Sequence, residues 1–190
     1  MGFLDVLTGK RKLDKPAADR LFAISTAYVT LETSLEIISR GSAAIVFQSL
    51  ATADFTSIVR DMEEVVRATA GDSGTKVETS EDQFGFSWLV LRGGAFDDLV
   101  VGINAVSGAL EAGGYGERVL CAVFAFQDAR GRLIYWIYNY KRGSFYPFVP
   151  VSGDQQRDNE RELVLKAQIG AELPVESELS RWFPLWGVPI

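Results

Sequence analysis

Val119-Leu120-Cys121-Ala122-Val123-Phe124-Ala125-Phe126 and Leu133-Ile134-Tyr135-Trp136-Ile137-Tyr138-Asn139-Tyr140 are two apolar runs joined through Asp128-Ala129-Arg130-Gly131. Branched and aromatic side chains favour strands, and Asp with Gly favours a tight turn, so the stretch reads as a β-hairpin. Alternation puts Trp136, Tyr138 and Tyr140 on one face of the second strand and Tyr135, Ile137 and Asn139 on the other. Aromatics on both faces exceed what a sheet with one wet face needs. Either both faces are covered, or one face receives a partner.

Outward from the hairpin the same theme recurs. Leu99, Val100, Ile103, Val106 and Leu110 follow a helical period from about Phe96 to Gly113-Gly114. Further upstream Asp54 is placed to cap a helix carrying Ile58, Met62, Val65 and Val66, and strands are predicted over 75–79 and 86–91. The middle of the chain therefore runs helix–hairpin twice, a weak internal pseudo-repeat. Before it, residues 25–38 lean to helix, with a turn at Arg40-Gly41 and a short buried strand over 44–47. After it, Lys141-Arg142-Gly143-Ser144 turns into a strand over 145–149, a charged helix runs over 154–169, and an aromatic tail closes the chain. Hairpins alternating with helices predict an α+β fold, a mainly antiparallel sheet with helices packed on it. Residues 1–15 read as an amphipathic and basic segment, and 16–190 as one domain.

Composition narrows the function. The 190 residues are 47% hydrophobic and 23% charged, enough for a sizeable core, and a formal charge of −6 argues against a dedicated duplex-DNA binder. There is no histidine, which removes Ser-His-Asp and Cys-His catalysis, histidine metal sites and histidine pH switching together. A lone Cys121 forms no intramolecular disulfide and no thiolate cluster, and its apolar neighbours suit a packed thiol. No apolar run reaches the roughly 18–20 residues that cross a bilayer, and Asp5 and Lys10 interrupt any signal-peptide core. Val6 stands where a myristoylation signal wants Ser or Thr. A cytoplasmic protein is expected, with contact at the inner face of the membrane a further expectation.

Charge is segregated along the chain. Residues 54–117 carry four basic and twelve acidic side chains, whereas 118–150 carry five basic and one acidic. Such a dipole favours oriented docking. The densest candidate surface is Trp136, Tyr138, Tyr140, Lys141, Arg142 and Tyr146, where aromatics beside basic residues suit peptide recognition and also base stacking on single-stranded nucleic acid. Trp182 and Trp186 in the tail either fold back or anchor a partner. Phe3, Leu4 and Leu7, followed by Lys10, Arg11 and Lys12, have the composition of a weak membrane or partner foot. Catalysis has thin support: Asp97-Asp98 suit a helix N-terminus, Glu63-Glu64 and Glu81-Asp82 read as solvated charge, and Gly93-Gly94 and Gly113-Gly114 lack phosphate-loop spacing. No metal and no cofactor are expected.

The run Tyr135-Trp136-Ile137-Tyr138-Asn139-Tyr140-Lys141-Arg142-Gly143, with Phe145-Tyr146-Pro147-Phe148, resembles the signature of the PspA-associated protein family PspAB. Gly74-Thr75-Lys76-Val77-Glu78, Phe96-Asp97-Asp98-Leu99-Val100, Glu172-Leu173-Pro174-Val175-Glu176 and Arg181-Trp182-Phe183-Pro184-Leu185-Trp186-Gly187 are similar as well. The chain departs from the resemblance after Asp97-Asp98, where Ile103-Asn104-Ala105 stands at an expected histidine. The resemblance implies an accessory protein of the phage-shock envelope-stress system. Its implied partners are a PspA-type coiled-coil protein and, by association, an HtpX-type membrane metalloprotease; it implies no established chemistry. The residues and the resemblance together predict a non-enzymatic adaptor, with a single-stranded nucleic-acid-binding module as the alternative.

Overall fold

The computed structural model describes residues 18–48, 50, 53–70, 74–82, 84–151 and 155–190. Chain order is α1 (Ala18–Leu21), α2 (Ala23–Thr33), β1 (Ile38–Gln48), α3 (Ala53–Ala70), β2 (Lys76–Glu81), β3 (Phe86–Arg92), α4 (Phe96–Ala112), β4 (Val119–Gln127), β5 (Leu133–Asn139), β6 (Ser144–Phe148), β7 (Pro150–Val151), β8 (Gln156–Arg157) and α5 (Asn159–Ile169). β1 to β6 form one antiparallel sheet in the order β2-β3-β1-β4-β5-β6, and β7 and β8 a separate two-stranded ribbon. The architecture is α+β, as the alternation of hairpins and helices predicts.

All five helices of the described residues contribute to the layer on one face of the sheet. Leu21, Ile24, Phe55, Met62, Leu99, Ile103, Leu165 and Ile169 pack there against Ile45, Leu89, Phe124, Trp136 and Tyr138. The opposite face is covered by residues 175–190, which have no strand and only one short 3-10 turn. Val175, Trp182, Leu185, Trp186, Val188 and Ile190 lie over Val46, Trp88, Val90, Cys121, Val123, Tyr135, Ile137, Tyr146 and Phe148. Covering both faces explains why the inner strands β4 and β5 are nearly continuous apolar runs rather than alternating ones. Polar links fix the tail: the Tyr146 hydroxyl donates to the Phe183 carbonyl at 3.1 Å and the Tyr135 hydroxyl to the Ile190 carbonyl at 3.2 Å.

Several expected boundaries shift: the helix expected over 25–38 ends at Thr33, the strand expected over 44–47 runs Ile38–Gln48, and Asp54, expected as a cap, lies inside α3. Arg40-Gly41 is not a turn between elements but a bulge inside the eleven-residue β1, where the register with β4 slips between Ser39 and Ala43. Gly41 takes φ +66°, a left-handed conformation open to glycine, so the strand bends without ending. The charged helix begins at Asn159, because Gln156 and Arg157 pair with Pro150 and Val151 and Asp158 caps the helix by accepting from the Arg161 N–H at 2.9 Å. Tyr140 falls one residue beyond β5, in the turn to β6.

The two hairpins share one turn. Asp82 Oδ1 accepts from the N–H groups of Phe84 and Phe86 at 2.8 and 3.0 Å, and Asp128 Oδ1 from those of Arg130 and Arg132 at 3.0 and 3.0 Å. Gly85 and Gly131 both have positive φ, +80° and +75°, and donate to the carbonyls of Asp82 and Asp128. Asp82 is thus a structural part of the turn, not solvated charge. The pseudo-repeat is one of chain order and turn, however, and not of packing. Trp88, six residues after Asp82, faces the tail, whereas Ile134, six after Asp128, faces the helices. The turns also sit at opposite ends of the sheet, one beside Gln48 and the other beside Ile38 of β1.

Candidate docking surface

The aromatic residues expected to form a binding surface are core. Trp136 and Tyr138 are fully buried and Tyr140 nearly so, all three in the layer between sheet and helices. Strand alternation placed them on one face correctly, but that face receives α4 and its neighbours rather than a partner. Tyr146 and Trp182 are buried together on the opposite face, their rings stacked 6.3 Å apart, and half-buried Trp186 meets the Phe148 ring edge-on at 5.0 Å. Only Lys141 and Arg142 remain exposed. The aromatic-basic surface therefore reduces to a basic turn, and the rings that would stack nucleic-acid bases are not available to them. Phe3, Leu4, Leu7, Lys10, Arg11 and Lys12 lie outside the described residues.

The buried charged groups are occupied by architecture. Glu162 accepts from the Val149 N–H at 2.9 Å and from Arg157 Nε, while Arg157 Nη1 donates to the Trp182 carbonyl at 2.6 Å. One ion pair so ties α5, the end of β6 and the tail together. Burial pushes the Glu162 carboxyl up, and the Arg157 and Val149 donors offset only part of that rise. Burial alone drives the Cys121 thiol up to about 12, which fits a packed thiol and not a nucleophile. At Asp128 burial acts upward, but the Arg132 and Arg130 donors outweigh it and hold the carboxyl below its ordinary range. Asp82 is held low in the same way by the Trp88 indole N–H at 3.0 Å and by backbone N–H groups.

The open surface lies elsewhere. α3 presents Phe55, Met62 and Val66 to the core, yet Val59, on the same helical stripe, is only half-buried. Opposite it the sheet offers Thr79 and Ser87, side chains too short to close the gap. The result is a groove of about 460 Å³ between α3 and the β2–β3 hairpin, with Phe47, Leu50, Phe55 and Val59 as apolar lining and Arg60, Glu63 and Glu81 as charged lining. β2 is an edge strand, mostly exposed, with a strand on one side only among the described residues. The other edge is occupied: the Phe145 N–H donates to the Pro174 carbonyl, and the Glu176 N–H to the Phe145 carbonyl, both at 2.8 Å. At the end of the β2–β3 hairpin Phe84 is 69% exposed, held in place by its N–H bond to Asp82. Sequence reading passed over Phe84 because it sits in a turn. The available signal was the recurrence of Asp-x-x-Gly-x at 82–86 and 128–132, with an aromatic at one tip and Arg130 at the other.

Fold and surface together define an α+β protein with an acidic, apolar-floored groove beside an open sheet edge. The chain belongs to the family described as PspA associated protein B, which matches residues 1–190. Nothing matches among the curated proteins, and nothing among the solved structures.

Proposed function

We propose that this protein is a non-enzymatic adaptor of the PspA-type membrane-stress response that docks a partner protein at the cytoplasmic face of the membrane. The observation that carries the reading is the family match over residues 1–190, since the family is PspA-associated. The distribution of polar groups supports an adaptor over an enzyme: Asp82, Asp128, Arg157 and Glu162 are engaged in turns and struts rather than converging on an open cleft. The first partner in this reading is a PspA-type coiled-coil protein. An HtpX-type membrane metalloprotease is the second, and the basic N-terminal segment adds a weak membrane contact that gains weight when the partner already sits on the bilayer.

The test is a titration of the purified protein against the PspA-type protein of the same cell, with and without anionic vesicles. Saturable one-to-one binding in either condition supports the adaptor reading. Absence of binding in both overturns the PspA-directed form of it.

A further inference from the structure

We propose that the α3–β2 groove, together with Phe84 in the adjoining turn, is the docking site, and that its occupant is an amphipathic helix bearing Lys or Arg beside its apolar stripe. The inference rests on the adaptor reading and names the surface and partner chemistry for it. Geometry comes first. The groove is lined by Phe47, Leu50 and Val59, and Glu81 and Ser87, the residues flanking the β2–β3 turn, form its hairpin side. Phe84 lies within that turn, three residues from each, so this exposed aromatic adjoins the groove along the chain. The Asp82 carboxylate braces the turn backbone that carries this exposed aromatic, so less backbone ordering is left for binding.

Charge then selects the occupant. Residues 54–82, which supply α3, β2 and the turn, carry eight acidic and three basic side chains. Glu63 and Glu81 stand in the groove wall beside one cation, Arg60, so the wall keeps an acidic excess. Glu63 is 3.5 Å from Arg67, a surface pair that a partner cation can compete for. A helix fits better than an added strand, because Lys76, Glu78 and Glu81 along exposed β2 discourage edge-to-edge pairing. Apolar side chains spaced i, i+4 on a helix would enter between α3 and β2, and its flanking cations would meet the two glutamates.

The experiment measures affinity for the PspA-type protein of the same cell in four variants, with sedimentation of each protein alone. Phe84→Ala is expected to weaken binding about tenfold or more, and Glu63→Lys with Glu81→Lys to weaken it comparably. Arg130→Ala, at the equivalent tip on the opposite end of the sheet, and Lys141→Ala with Arg142→Ala are expected to leave it unchanged. Because Phe84 is exposed, its loss is read without loss of folding. Full affinity in both groove variants overturns this site while the adaptor reading stands. Loss on Phe84→Ala without loss on charge reversal overturns the basic-helix chemistry. Self-association of the unmodified protein that Phe84→Ala abolishes makes a second copy the occupant and overturns the proposal. No binding by the unmodified protein overturns the proposal together with the PspA-directed reading.

Discussion

The two helix–hairpin units, α3-β2-β3 and α4-β4-β5, share chain order and an identical Asp-x-x-Gly turn, yet the fold treats them differently. α4 lies over the centre of the sheet, burying Phe96, Leu99, Val100, Ile103, Val106 and Leu110. At Gly102 an added Cβ would stand 2.7 Å from Leu91 Cδ1, so the glycine permits the close crossing. β4 and β5 are covered on both faces, by the helix layer and by residues 175–190. α3 sits at the margin instead, over Thr79 and Ser87, and β2 is an open edge. One unit is filled with aromatics along β4 and β5; its counterpart packs Leu89 and Leu91 inward but has short polar Thr79 and Ser87 under α3 and leaves a gap there. Local architecture alone does not set the role of such a unit. Side-chain volume on the facing strand and position in the sheet do.

This contrast is open to attack by substitution. Trp136→Ala removes a fully buried ring from the filled unit and is expected to cost about 3–5 kcal/mol, read from urea unfolding. Next come the twin turns. Asp128→Ala removes the closer carboxylate of Arg132, whose Nη2 lies 2.8 Å from Asp128 Oδ2, together with the acceptor for two turn N–H groups, and a loss of roughly 2 kcal/mol is expected. Asp82→Ala at the marginal unit is expected to cost less, roughly 1 kcal/mol. Equal costs would mean that the two units contribute alike.

Acid probes the same pair. Both carboxyls are held below their ordinary values in the folded protein, so the stability they add is complete above the unfolded pKa, about 3.9. It is lost as pH falls through the lower folded values. Unfolding midpoints should therefore drop as pH falls below about 4, and Asp82→Asn with Asp128→Asn should flatten that part of the profile. The smallest expected effect on stability is at Phe84→Ala, within about 0.5 kcal/mol by the same unfolding assay, as for an exposed side chain outside the core. A larger loss would place Phe84 in the fold rather than on a docking surface.

Much of the fold is legible in the sequence. The helical periods around Met62 and Ile103 and the two strand runs before and after Asp128 mark their elements because each carries one dominant spacing. Gly41 misled because a positive-φ glycine serves a turn and a bulge equally well. The start of α5 was displaced because Arg157 reads as surface charge, while its pairing with Glu162 makes it part of a buried strut. The site was less legible for a physical reason. Composition shows that Trp136, Tyr138 and Tyr140 must be covered or bound, but not by what. The cover comes from the helix layer on one face and from residues 175–190 on the other. The groove arises from what is missing, bulk at Thr79 and Ser87, and a sequence scan for chemistry-bearing residues passes over small ones.

Hydrogen–deuterium exchange of the protein alone and in the presence of the PspA-type protein proposed as its partner compares the two units in one measurement. Docking in the groove predicts new protection in α3, in β2 and in the turn around Phe84, with exchange at the Asp128 turn unchanged. Protection confined to the tail or to the Lys141-Arg142 turn, with none at α3 and β2, would contradict it.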